Sequence, residues 1–115
     1  MQKNIYGKTS EIIAAEHLKQ KGYKILAMNY KNKIGEIDII AKDKKCIVFV
    51  EVKARLTKAF GHPLEAIDEQ KQWKIRKVAE FYLISKRLTD AESRFDAVSV
   101  LGYENRIIEH IENAF

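Results

Sequence analysis

Two charged residues interrupt the most apolar stretch of the chain. In Ile47-Val48-Phe49-Val50-Glu51-Val52-Lys53, Glu51 and Lys53 stand at i and i+2, and in an extended strand such a pair shares one face. Burying either charge without a partner costs on the order of several kcal/mol. The two heads must therefore reach a cleft, pair with each other or bind an ion. Glu36 and Asp38 repeat the relation in Gly35-Glu36-Ile37-Asp38-Ile39-Ile40. If these strands pair as a hairpin around Asp43, Asp38 and Glu51 approach each other across the ladder. Asp38 is five residues before that centre and Glu51 eight after it, so their approach is expected to need a longer turn or a bulge. Glu11 is a third oddity: with Ala15 and Leu18 it falls on the apolar stripe of a helix, and an acid there faces the domain.

Glu11, Asp38, Glu51 and Lys53 together suit Mg²⁺ or Mn²⁺. These hard cations take oxygen ligands, keep several waters, and need only one or two carboxylates beside a substrate phosphate. Asp38 and Glu51 are the expected metal ligands, with Glu11 supporting a metal water or a second ion. The metal would polarise a phosphodiester and lower the pKa of a bound water. Lys53 would orient that water or stabilise charge developing on the phosphoryl group. The plainer alternative is a solvated strand edge or a simple ion pair. Arg55, next on the same face, could meet a phosphate or stand exposed.

The elements that would position these groups are legible from periodicity. A helix is expected over Thr9–Lys21, capped by Thr9 or Ser10 and stopped by Gly22, with Ile12, Ala14, Ala15 and Leu18 as its apolar positions. Strands are expected over Tyr23–Tyr30, Gly35–Lys42 and Cys46–Lys53. The last is apolar on both faces and belongs in the middle of a sheet. A connection from Arg55 to Ile67 holds Gly61, His62 and Pro63, with His62 read as a structural loop residue. Asp68 caps a second helix to Lys86, with Ile75, Val78, Ala79, Tyr82 and Leu83 as its buried stripe. Strands over Arg94–Leu101 and Ile107–Ile111 flank a turn at Gly102–Asn105. The order α-β-β-β-α-β-β, a meander followed by a helical crossover, makes an α/β domain: a mixed sheet covered by helices.

The 115 residues suit one domain. The chain has 21 Lys plus Arg against 16 Asp plus Glu, for a net charge of +5, which fits phosphate contact without proving it. On the second helix Gln70, Lys71, Lys74 and Lys77 flank one side, with Arg76 nearby, either touching DNA or forming a solvated face. Trp73 among them is expected to pack in the core or a groove, with stacking on a base as the sharper alternative. Asp96, in Arg94-Phe95-Asp96, reads as a structural acid pairing with Arg94 or a helix end. The lone Cys46 reads as a small buried hydrophobe. No stretch approaches the roughly 18–20 apolar residues of a membrane span, and Met1–Tyr6 holds no apolar signal core. A soluble, cytoplasmic protein with no membrane partner is the default expectation.

Several of these segments, in order, resemble the bacterial YraN family, also called UPF0102. They are Gly35-Glu36-Ile37-Asp38-Ile39-Ile40, Val48-Phe49-Val50-Glu51-Val52-Lys53-Ala54-Arg55, Phe60-Gly61-His62-Pro63-Leu64-Glu65-Ala66, Arg94-Phe95-Asp96-Ala97-Val98 and Ile111-Glu112-Asn113-Ala114-Phe115. That family is described as predicted endonucleases, similar to archaeal Holliday junction resolvases and to the wider restriction-endonuclease-like fold. The resemblance implies a central mixed sheet flanked by helices, dependence on a divalent metal, and a DNA substrate that is branched or damaged. It also implies a site of Asp, Glu-x-Lys and a first-helix Glu, which by position are Asp38, Glu51, Lys53 and Glu11. A homodimer is a further implication, since resolvases of this fold cut two strands symmetrically. Where the pattern carries glycine before the helix glutamate, this chain has Ser10. The alternative function is a non-catalytic module that keeps the fold and binds nucleic acid or protein.

Overall fold

A computed structural model describes residues 2–55, 67–101 and 106–115 of the chain, with side chains from residue 9 onward except Ile108. Its elements are α1 (Gln2–Gln20), β1 (Lys24–Lys31), β2 (Glu36–Asp43), β3 (Cys46–Arg55), α2 (Glu69–Ser85), β4 (Ser93–Leu101) and β5 (Arg106–Ile111). The five strands form one sheet in sequence order, β1-β2-β3-β4-β5. β1, β2 and β3 are an antiparallel meander. β4 lies parallel to β3 after the α2 crossover, and β5 returns antiparallel to β4. The sheet is thus mixed, with β3 at its centre and a helix on each face, consistent with a nuclease-like α/β fold. The expected loop residues Gly61, His62 and Pro63 and the expected turn at Gly102–Asn105 lie outside the described residues.

Side-chain alternation along β3 assigns the faces. Val48 and Val50 pack with Ala14, Ala15 and Leu18 of α1. Ile47 and Phe49 pack with Ile75, Val78, Ala79 and Tyr82 of α2. Glu51 and Lys53 have the parity of Phe49, so the pleat directs them to the α2 face. Phe49 is essentially buried, and its ring meets Tyr82 edge-on and stacks on Phe95. Truncating such a residue to alanine costs about 3–5 kcal/mol.

Both helix ends use the same stop. After α1, Tyr23 N–H bonds Leu18 C=O at 2.9 Å and Gly22 N–H bonds Lys19 C=O at 2.9 Å, with Gly22 at φ +94°. This double bond through a left-handed residue satisfies carbonyls that the helix leaves open. After α2, Leu88 N–H bonds Leu83 C=O at 2.8 Å and Arg87 N–H bonds Ile84 C=O at 3.1 Å. Here the left-handed residue is Arg87, at φ +58°, which a Cβ makes costly. At the start of α1 the expectation fails: the helix already runs from Gln2, so Thr9 and Ser10 lie inside it. Ser10 is buried there, and Ile12 is exposed rather than part of the core.

On the α1 face, Asp96 is fully buried within a polar network. It accepts from Arg94 Nε at 3.1 Å, from Asn113 N–H at 3.1 Å and contacts His110 Nε2 at 2.8 Å. Arg94 also reaches Asp43 at 3.2 Å, Tyr23 Oη at 2.6 Å and Glu112 at 3.2 Å. The Lys21 ammonium lies 2.9 Å from His110 Nδ1, so Nδ1 accepts and Nε2 carries the proton toward Asp96. Burial pushes the Asp96 carboxyl up, but the hydrogen bonds from His110, Arg94 and the Asn113 backbone outweigh it and hold its pKa below the ordinary value. The Asp96–Arg94 pairing expected from the sequence is therefore present. It fastens the β2–β3 hairpin tip, the start of β4 and the C-terminal residues together.

Candidate functional site

Asp38 and Glu51 meet just past the last regular pair of the β2–β3 ladder. The β2–β3 ladder pairs Asp43 with Cys46 and continues to Ile39 with Val50, so the next step places Asp38 across from Glu51. The turn is Lys44-Lys45, with Lys44 in the left-handed conformation at φ +57°. Counting from Asp43 as the centre made the two acids look out of register. The true centre lies between Lys44 and Lys45, and both acids are equally far from it.

β2 departs from regular alternation at this point. Ile39 joins the α1-side core, whereas Ile37 and Ile40 join the α2-side core, so the pleat is interrupted around Asp38. The Asp38 carboxylate takes up the bond the ladder would have made: its Oδ2 accepts from Val52 N–H at 2.8 Å. That contact fixes the orientation of the carboxylate beside Glu51.

Glu51 is 4% exposed. Lys71 Nζ lies 3.4 Å from its Oε2 and Lys53 Nζ 3.9 Å from the same oxygen. Two ammonium groups favour the carboxylate, yet burial and the charge and hydrogen bond of Asp38 dominate, and the Glu51 pKa is pushed up to about 8. Lys53 is held below the ordinary lysine value by burial and by the neighbouring Lys71 amine. For Lys71, burial works against the charge, but the hydrogen bond to Lys53 and the nearby Glu51 and Asp38 override it and raise its pKa. Glu51 thus sits at a place that stabilises a proton or a cation beside it.

The start of α2 delivers Lys71. Asp68 is the N-cap, accepting from Lys71 N–H at 2.8 Å, and Gln72 Nε2 donates to Ile67 C=O at 3.0 Å. These bonds tie the first turn to the chain before it. The result is a cleft of about 470 Å³ lined by Asp38, Glu51, Glu36, Lys71, Lys74 and Gln70, among others. Asp68 at its rim marks the positive end of the helix dipole, where anions are favoured.

The expected residues divide as follows. Asp38 and Glu51 line the cleft, and Lys53 touches it through Glu51. Lys71 and Lys74 also line it, and Glu36 stands at its edge. Lys71 was expected as a DNA contact or part of a solvated face, and among the described residues it is Glu51's nearest cation. Arg55 closes β3 two residues beyond Lys53. Lys77 lies farther along α2, its Nζ 3.6 Å from Glu80 and 5.8 Å from the centre of the Trp73 ring. Glu11 is partly buried on α1, whose core packing is on the other face of the sheet, and it is not a lining residue of the cleft. Among the described residues no three His, Cys, Asp or Glu side chains are grouped to hold a metal ion. The carboxylate set is therefore the pair Asp38 and Glu51, a number that suits a cation completed by water and phosphate. Gln70 was expected on the α2 flank and Asp68 as the helix cap, but neither as a neighbour of the two carboxylates. The N-cap signature at Asp68 was readable, but the approach of the α2 N-terminus to β2 was not.

The fold and this cleft define an α/β protein of nuclease-like architecture with paired carboxylates and lysines at a strand end. A model described as "Uncharacterised protein family UPF0102" matches residues 10–100. The chain belongs to that family. A UPF0102 protein of Caldanaerobacter subterraneus is 49% identical over all of this chain and 98% of its own length. One from Desulfosudis oleivorans is 46% identical over 99% of this chain and 92% of its own. Another, from Clostridioides difficile, is 48% identical over 95% of each. Among the described residues, no helix is long and apolar enough to cross a membrane.

Proposed function

We propose that the cleft hydrolyses phosphodiester bonds in DNA, with Asp38 and Glu51 holding Mg²⁺ or Mn²⁺, and that branched DNA is among its substrates. One observation carries this reading: two carboxylates meet across a strand pair, one of them buried, with the Lys53 and Lys71 ammonium groups against it. A buried acid that resists ionisation by itself favours a cation for its ionised form. A divalent cation bound there supplies Lewis-acid polarisation of the phosphate. Asp38 keeps its orientation through Val52 N–H, Glu51 keeps its own through burial between β3 and α2, and Lys53 stabilises charge gathering on the phosphoryl oxygens. Lys71, Lys74 and the α2 N-terminus attract the polyanion.

One feature favours a second reading. Lys71 already supplies Glu51 with a positive charge at 3.4 Å, as a non-catalytic nucleic-acid-binding module would require. Cleavage of labelled four-way junction and duplex DNA in Mn²⁺ separates the two. The nuclease reading expects cleavage that falls by roughly a hundredfold or more in Asp38→Asn, with manganese binding by calorimetry lost in Asp38→Asn/Glu51→Gln. Salt-sensitive binding without product in any metal would establish the module instead.

A further inference from the structure

Trp73 does not pack in the core or in a groove: it is 56% exposed, and Phe81 is 53% exposed on the same helix. The buried stripe of α2 runs through Ile75, Val78, Ala79 and Tyr82. At 100° per residue the opposite side carries Gln70, Trp73, Lys77, Glu80 and Ile84, with Lys74 and Phe81 on one flank of it. Gln70 and Lys74 line the carboxylate cleft, so the aromatic surface begins where the cleft ends. From Trp73 to Phe81 it extends roughly 12 Å along the axis. With Ile84, 58% exposed, the two rings gather apolar surface along one side of the helix, the kind of surface on which partners bind.

The charges on this face identify the occupant's chemistry. Lys74 and Lys77 lie between the two aromatics, and Lys77 Nζ sits 5.8 Å from the Trp73 ring centre. Its ion pair to Glu80 at 3.6 Å has both side chains exposed and holds the lysine only weakly. Two lysines between two exposed rings match a polyanion that carries flat rings of its own. A paired duplex hides its base faces in the stack, whereas an unpaired strand offers them.

We propose that the outer face of α2 is a stacking platform for unpaired DNA, with Trp73 receiving a base while Lys74 and Lys77 hold the adjoining phosphates. This deepens the nuclease reading, on which it rests, by naming the substrate class: a strand whose unpaired segment leads into the Asp38–Glu51 cleft. Phe81 extends the platform away from the cleft.

Trp73 is the single tryptophan of the chain, so its fluorescence reports the contact directly. The full chain is titrated in EDTA with dT12, with a forked duplex and with a blunt duplex, all end-labelled so that anisotropy reports binding independently. The expected result is quenching of Trp73 by dT12 and by the fork. Affinity for both falls about tenfold in Trp73→Leu, the contribution of one stacked base, and is largely kept in Trp73→Phe, while blunt-duplex affinity changes less than twofold. Saturated binding with unchanged tryptophan emission, or equal dT12 affinity in Trp73→Leu, overturns the platform and points to a protein partner for this face. Preference for the blunt duplex also overturns it, yet leaves the nuclease reading intact if Mn²⁺-dependent cleavage is seen. Absence of binding to all three DNAs together with absence of cleavage removes both.

Discussion

Replacing Glu51 by glutamine separates the burial of this carboxyl from its charge. The amide is nearly isosteric, stays neutral at every pH, and keeps an N–H donor for Asp38. In the wild type the Glu51 pKa is pushed up to about 8 from an ordinary value of 4.5, by burial first and by Asp38 second. Between those two pH values the folded protein holds a proton that the unfolded chain has released. The stability owed to this group is therefore complete below pH 4.5 and is lost as pH rises toward 8. At about 1.4 kcal/mol per pH unit, the stability of Glu51→Gln relative to wild type should grow by roughly 2–3 kcal/mol between pH 5 and pH 7. Urea denaturation of both proteins in EDTA at pH 5, 6, 7 and 8 measures this difference, and taking the difference cancels the groups that do not interact with Glu51. MnCl₂ at pH 7.5 should then raise the wild type's midpoint and leave that of Glu51→Gln nearly unmoved, because a cation binding only the folded state adds stability by mass action. A pH-independent difference between the two proteins would refute the assignment of a raised Glu51 pKa.

Two other expectations follow from the fold. Asp96→Asn removes the buried acceptor shared by Arg94, His110 and the Asn113 backbone, while Asp43 and Glu112 still face Arg94, and should cost about 1–3 kcal/mol at pH 7. Because the folded-state pKa of Asp96 lies below its ordinary 3.8, wild-type stability from this group is complete above that value and is lost as pH falls through the lower one. Denaturation of both proteins between pH 2 and pH 6 checks the sign. Arg87→Gly relieves a left-handed residue at the end of α2 and should stabilise the fold by up to about 1 kcal/mol, read as a rise in Tm with unchanged far-UV circular dichroism.

Much of this protein was legible in its sequence. Apolar periodicity places every element to within a few residues except the start of α1, whose first turns, from Gln2, lie before the Thr9–Ser10 cap signal. Glu51 and Lys53 could be assigned to one face of a central strand because side-chain direction in a strand depends only on parity, a local property. Asp68 could be named as a cap because capping is a bond between residues three apart. Asp96 could be paired with Arg94 for the same reason of nearness. The family resemblance was visible in linear motifs and is borne out.

What tertiary structure alone decided depends on distance along the chain. Hairpin register is set by turn geometry, and a left-handed Lys44 with no glycine to announce it moved the centre to Lys44-Lys45. That shift is what brings Asp38 opposite Glu51. Lys71 became Glu51's closest cation because α2 returns over β2 and β3, a path that helical periodicity does not encode. Tyr23, Lys21 and His110 joined the Arg94–Asp96 network across as many as 89 residues, and no spacing rule reaches that far. Trp73 turned outward because the buried side of α2 was already filled by Ile75, Val78, Ala79 and Tyr82. Composition makes an aromatic residue want burial, but only the packed helix decides which side has room.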